Sequence, residues 1–250
     1  KIYISGSDID VRSFELTSSE QRIRIEGKAS KERKDTLTLN LDRFDISIVN
    51  PLIGSDLGIA GAATGDIRLI SPMDEIGRLA NMICDSTYVA GVPLGVLDIE
   101  SNWSEEFERF EIGLKNDYSG KSNITAHGKL TPKLKTLEAE ADLDELQIGY
   151  VQPILQDVFS EMNGSISGKI YVEGPLDNLS ISSRNARLND AELRIDFTNV
   201  PYHADGTFHI DNKGAYFDYI KVKNRYDGRG DILGSINWDH FRDMTFDLSA

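Results

Sequence analysis

A long unit that occurs twice leaves few closed folds open to this chain. The stretch Leu41 to Ile53 (LDRFDISIVNPLI) returns 102 residues later, from Leu143 to Leu155, as LDELQIGYVQPIL, with 5 of its 13 positions unchanged. Phe44/Leu146, Leu52/Ile154 and Ile53/Leu155 keep their apolar character. With one residue inserted the match runs on, since Gly61, Gly65, Ile67, Pro72 and Asp74 recur as Gly164, Gly168, Ile170, Pro175 and Asp177. A third block, Ile112, Lys115, Asn116, Tyr118, Gly120 and Ile124, recurs 108 residues on as Ile220, Lys223, Asn224, Tyr226, Gly228 and Ile232. Repetition of this length, in order and with little drift, predicts an elongated array with function spread along it. Residues 1–40 read as the end of a preceding unit, 41–142 as a first unit and 143–250 as a second, incomplete one, in one continuous domain. Because the run Phe14 to Gly27 matches the run Ile112 to Gly128 and the last residues (MTFDLSA) match Leu137 onward, both ends are expected to fall inside a unit, and the chain to be an excerpt of a larger protein.

Composition narrows the class. With 41 Asp+Glu against 27 Lys+Arg the net charge is −14, while 40% of residues are hydrophobic, enough for a folded core. That acidity disfavours nucleic-acid phosphate and an anionic membrane surface as partners, so any dealing with lipid must use an apolar surface. No run approaches the roughly 20 apolar residues that span a bilayer, and the first residues lack the layout of a signal peptide. The lone Cys84 allows no internal disulfide and no Cys-rich metal site; it reads as a small buried apolar residue.

Alternation with period two dominates. In Ser165–Glu173 the even positions are Ile166, Gly168, Ile170 and Val172, as one buried strand face requires. Ala191 to Phe197 repeats the pattern, as do Phe208/Ile210, Leu137/Ala139/Ala141, Ile23/Ile25 and Thr36 to Leu41, with Gly174-Pro175, Asn189-Asp190 and Asp211-Asn212 placed as hairpin turns. Val151, Ile154, Leu155, Val158, Phe159 and Met162 instead follow a helical stripe with Pro153 in its first turn, and Val49, Leu52, Ile53 and Leu57 form a weaker copy. Such a helix can plug the open end of a curved sheet or cover a sheet edge. Met73 to Cys84 has helical spacing as well, although the repeat puts a strand there. The expected fold is therefore mainly all-β: an elongated, curled antiparallel sheet forming an open hydrophobic groove, with one or two short helices.

The run Gly164-Ser-Ile-Ser-Gly168, Gly174-Pro-Leu-Asp177, Asn185 to Tyr202 (NARLNDAELRIDFTNVPY) and the segment from Tyr226 (YDGRGDILGSINWDHFRDMTFDLSA) resemble the C-terminal region of the TamB family, the translocation and assembly module, in the AsmA-like superfamily and in its Bacteroidota style. The resemblance covers most of the chain and lies in the pattern of Gly, Pro and alternating apolar positions, with no catalytic signature. It implies a periplasmic protein held in the inner membrane of a Gram-negative cell by an N-terminal helix, its sheet curled into a trough reaching the outer membrane. It also implies an outer-membrane barrel of the Omp85 class as partner, outer-membrane protein assembly and secretion with nascent barrels as possible clients, and phospholipid transport. Asp98 departs from the pattern, standing where the second copy has Phe197, which bears on whether the lining runs unbroken through the first copy.

A physical argument leads the same way. At about 0.8 kcal/mol per methylene, exposing an acyl chain of roughly 16 carbons to water costs on the order of 12 kcal/mol, so a carrier must hide it continuously. The candidates for lining such a face are Ile166, Ile170, Val172, Leu193, Ile195, Phe197, Phe208, Ile210, Ile220, Val222 and Ile232, with Ile67, Leu69, Leu94, Val96, Ile112, Leu114 and Ile124 in the other copy. The same residues also suit the core of an ordinary sandwich or solenoid. Phospholipid acyl chains are the expected guest, and no cofactor is expected. Enzymatic chemistry finds no motif: His127, His203, His209 and His240 are far apart, and the acidic pairs Asp8/Asp10 and Asp142/Asp144 are what so acidic a chain produces freely. Two further functions compete with the conduit, a scaffold for outer-membrane barrels that templates strands at an exposed edge, and a carbohydrate-acting or adhesive solenoid.

Overall fold

The computed structural model describes residues 1–5, 8–18, 20–30, 35–50, 58–70, 77–89, 91–155, 159–176, 178–196, 199–226, 228–239 and 242–249. They form sixteen strands of one antiparallel sheet whose order is the order of the chain. β1 (Ile2–Ser5), β2 (Asp8–Ser18) and β3 (Gln21–Ala29) lead in. Six strands follow: β4 (Thr36–Asp45), β5 (Ala60–Ile70), β6 (Gly77–Val89), β7 (Val92–Ser104), β8 (Arg109–Asp117) and β9 (Ile124–Thr131). The same order recurs in β10 (Thr136–Gln147), β11 (Phe159–Pro175), β12 (Ser180–Ile195), β13 (Val200–Asp211), β14 (Gly214–Asn224) and β15 (Arg229–Asp239), before β16 (Arg242–Ser249). A 3-10 turn, Ile46–Val49, follows β4, and its counterpart Ile148–Val151 follows β10 and runs into the one-turn helix α1 (Gln152–Leu155). The chain divides into two compact units, Lys1–Lys121 with His127–Lys135 and Ser122–Ala126 with Thr136–Ala250, each described by itself below.

The helical stripe from Val151 to Met162 predicts more helix than forms. α1 ends at Leu155, while Phe159 and Met162 lie in β11, paired with Ile195 and Leu193 of β12. The ladder to β12 satisfies their backbone groups and buries the same side chains in extended form, so tertiary pairing overrides the local stripe. Gly77–Val89 is likewise strand, paired with both β5 and β7. Leu52, Ile53, Leu57, Met73, Ile76, Val158 and Phe197 lie outside the described residues.

Bulges recur at matching places in the two copies. The pairing slips between Leu41 and Phe44 and between Leu143 and Leu146, where Arg43 (φ 53°) and Glu145 (φ 51°) adopt left-handed backbone. It slips again between Cys84 and Thr87 and between Leu188 and Ala191, with Ser86 (φ 51°) and Asp190 (φ 45°) in that conformation. Each extra residue raises the local twist and turns a step of two into a step of three, returning the next apolar residue to the same face.

Gly164 shows why a side chain is excluded beside such a bulge. At φ +97° a Cβ on it would lie 2.5 Å from the Asp190 carbonyl oxygen and 2.6 Å from Ala191 Cα. Gly91, at φ +77°, has nothing within 4 Å. Gly164→Ala is expected to cost about 2–4 kcal/mol of stability, combining backbone strain with a clash, against about 1 kcal/mol for Gly91→Ala, read from chemical denaturation midpoints.

Candidate functional site

Partners in an antiparallel pair project to the same side of the sheet, so register alone sorts side chains by face. In the second unit Leu146, Ile166, Leu188, Gly206, Ile220 and Ile232 are successive partners from β10 to β15. At a strand spacing of ~4.8 Å, the five steps of this row span about 24 Å. Neighbouring rows continue it on both sides. Ile170 pairs with Ala141, Val172 with Ala139 and Ile181, Leu193 with Met162 and Tyr202, and Ile195 with Phe159 and Val200. Phe208 pairs with Ala186 and Phe217, Ile210 with Ser183 and Ala215, and Val222 with Ala204 and Gly230. The ten described lining candidates of this copy therefore share one face. Phe208 and Ile220 are buried, and the other eight are half-buried.

The first unit carries an equivalent row, Leu16, Ile23, Leu41, Gly65, Met82, Ile99 and Leu114, from β2 to β8. Ile67, Leu69 and Ile112 lie on this face beside it, half-buried, and Leu94 is buried. Ile124 is half-buried at the start of β9. Val96 does not belong with them. It projects to the opposite face, 38% exposed and paired with Asp117, because a bulge at Leu94 breaks the count of two; Leu97, paired with Cys84 and Asn116, takes the inner place. Asp98 shares Val96's outer face, opposite Ile83 and Lys115, so it leaves the first unit's apolar rows uninterrupted. The charge at Asp98 was the signal available in the sequence, since Val96 two residues before it must face the same way. The small residues Ala63, Ala186 and Ala204 were not singled out in the sequence, yet all three are buried, as is Ala191, which opens one of its alternating runs.

Two buried polar groups interrupt the first unit's face and are satisfied within it. Asn116 Nδ2 donates to the Leu94 carbonyl at 3.0 Å, and Thr87 Oγ1 donates to that of Cys84 at 3.1 Å. Burial first, and then the neighbouring Asp85 charge, push the Cys84 thiol above its ordinary 9.0.

The helical turns sit on this face. Ile148 is 2% exposed and joins Met162, Ala186, Ala191, Ala204, Phe208 and Ile220 in one cluster, with Leu155 and Phe159 packed against it. Ile46 takes the matching place in the first unit, its Cδ1 lying 3.2 Å from where a Cβ on Gly61 would stand. Carboxamides at matching positions clasp each turn to the next strand: Asn50 Nδ2 donates to Ile59 O and Asn50 Oδ1 accepts from Ile59 N, while Gln152 Nε2 donates to Ser160 O. Asp45 Oδ1 accepts from Ser47 N, which holds its carboxyl below the usual range.

The opposite face is polar and ion-paired. In the second unit Lys169 bridges Glu140 and Asp142, Arg194 meets Glu161 at 3.0 Å, and Arg187 meets Asp205 at 3.7 Å. The hydrogen bonds that Lys169 Nζ donates to Glu140 and then to Asp142 raise its pKa. Among the described residues all sixteen strands belong to this one sheet, and the helical turns pack on β5 and β11. Among the described residues no cluster of three His, Cys, Asp or Glu is arranged to hold a metal, and no helix is long and apolar enough to cross a membrane.

Ile148→Ala is expected to cost about 2–4 kcal/mol, whereas Ile48→Ala, at a side chain 61% exposed, stays within about 0.5 kcal/mol in the same denaturation assay. Cys84 should resist alkylation until the chain unfolds. Because its thiol ionises less readily when folded, stability contributed by Cys84 is full below its ordinary 9.0 and falls as pH rises past it, which Cys84→Ala should abolish. No family model matches this chain, and searches of curated proteins and of solved structures find no significant match.

Proposed function

We propose that this chain is part of a periplasmic conduit between the inner and outer membranes, shielding phospholipid acyl chains on its apolar face. In this reading the parent chain is anchored in the inner membrane, an Omp85-class barrel is its outer-membrane partner, and outer-membrane protein assembly and secretion draw on the same surface. The observation that carries it is the unbroken row from Leu146 to Ile232, apolar except for the backbone of Gly206. Its span of about 24 Å exceeds the ~15 Å depth of one leaflet of a ~30 Å hydrocarbon core, so the row is long enough for a whole acyl chain. Partial exposure of Ile166, Ile170, Leu193 and Ile195 fits a surface that receives a guest, since side chains in a closed core lose nearly all contact with water. The polar outer face supplies the solubility that such a surface otherwise costs.

Photoreactive residues at Ile170 and Ile195 are expected to crosslink phospholipid, and one at the outward Lys221 is not. Ile170→Asp with Ile195→Asp should cut lipid capture at least about tenfold, because an ionised group among apolar side chains costs several kcal/mol. Equal crosslinking from both faces, or capture untouched by the aspartates, would count against the conduit.

A further inference from the structure

Along β13 and β14 aromatic rings stand on the outer face of the second unit. Thr207 pairs with both Arg187 and Tyr219, which puts Tyr219 on the outer side, and the next outward pair is His209 with Tyr216. A strict alternation from the inward Phe217 would turn Tyr219 inward and Ile220 outward; the extra residue in β14 reverses both. His209 and Tyr216 stack with ring centroids 4.7 Å apart and planes 11° from parallel. Tyr219 is 66% exposed, and the side chain opposite it is the small Thr207. Leu233 of β15 faces the same way, since its neighbours Ile232 and Gly234 pair with the inward Ile220 and Phe217. A tyrosine left two-thirds bare on the polar side of a sheet gains little packing, so its ring calls for another use.

Polar groups beside the rings are neutral or balanced. Ser235 pairs with Tyr216, and Asn237 Nδ2 donates to Ser235 Oγ at 2.9 Å. The Tyr216 hydroxyl donates to Asp211 Oδ1 at 3.4 Å, an oxygen that also accepts from Lys213 N at 2.7 Å and Gly214 N at 3.0 Å. Arg187 meets Asp205 at 3.7 Å, and Lys221 is flanked by Asp205 and Asp231. Among the described residues around the rings, Arg187, Lys213 and Lys221 thus answer Asp205, Asp211 and Asp231, on a chain whose total charge is −14. An ionic partner of either sign gains little from such a patch. An uncharged one with an apolar face and a hydrogen-bonding edge matches it.

We infer that this strip binds a β-linked oligosaccharide of uncharged pyranose rings, a second activity on the face away from the proposed lipid surface and independent of it. A pyranose ring exposes a layer of C–H groups whose partial positive charge packs on the electron-rich face of an aromatic ring. Hydroxyls around its edge need donors and acceptors near that plane. Tyr219 supplies the bare face, and Thr207, Ser235 and Asn237 supply hydroxyl and amide groups on the same side of the sheet. Thr207 and His209 are one outward step apart on β13, about 7 Å, so their partners Tyr219 and Tyr216 stand in file along β14. A β-1,4-linked chain is an extended ribbon that can run along such a file, whereas an α-1,4-linked chain coils away from it.

The test titrates the chain with chitotetraose, cellotetraose, maltotetraose and the open-chain polyol sorbitol, read by calorimetry and saturation-transfer NMR. At least one β-linked tetrasaccharide is expected to bind about tenfold or more tightly than maltotetraose, and sorbitol, which has no ring, not to bind. Tyr219→Ala should weaken that binding at least about tenfold while circular dichroism and the denaturation midpoint stay unchanged, because the ring is exposed. Tyr219→Trp should keep it, and Tyr226→Ala, at another bare ring in the β14–β15 turn, should leave it unaltered. Failure of both β-linked sugars to bind, maltotetraose binding as tightly, or an affinity that survives Tyr219→Ala overturns the inference. Self-association that Tyr219→Ala abolishes, with no sugar bound, reassigns the strip to a contact between copies of this chain and overturns it too. Phospholipid crosslinking at Ile170 is expected to be equal with and without Tyr219→Ala; a parallel loss of lipid and sugar binding would show one shared surface and overturn the assignment to the outer face.

Discussion

Strand register is the constraint from which the two-faced character of this sheet follows. A slip of one residue in any pairing would carry a whole row, such as Ile166, Leu188 and Ile220, to the solvent side and bring Ser167, Arg187 and Tyr219 to the apolar one. The penalty for that exchange accumulates along the strand, so each strand sets the phase of the next. Bulges at Arg43, Ser86, Glu145 and Asp190 then do what a strict alternation cannot: they add twist while returning the next apolar residue to the shared face.

Among the described residues every strand belongs to one sheet, and in each unit a helical turn adds to its apolar face. The turn carrying Ile148 packs in one buried cluster with Ala186, Ala191, Ala204, Phe208 and Ile220, while Ile166, Leu193 and Ile210 around it stay half-buried. Gly164 serves the same arrangement from below, since any side chain there would press on the bulge at Asp190. Gln152 and Asn50 hold the turns down through hydrogen bonds to the following strand, in place of the longer helix that the apolar stripe suggested.

Charge is distributed with the same economy. Carboxylates on the outer face of the second unit are matched by Lys169, Arg187 and Arg194.

Much of this was legible in the residues themselves. Alternation such as Ile166, Gly168, Ile170 and Val172 dictated strands with one apolar side, the repeat of Leu41–Ile53 dictated that matching elements follow β4 and β10, and the excess of Asp and Glu dictated a polar exterior. These are local properties, because a side chain's side of a strand follows from backbone geometry. Only the folded sheet decided where the phase shifts, placing Leu97 inside and Val96 outside, and how soon α1 gives way to β11. Bulges and strand ends are set by hydrogen-bond partners brought in from another strand, and a stripe or an alternation read along one segment carries no record of the partner it will meet.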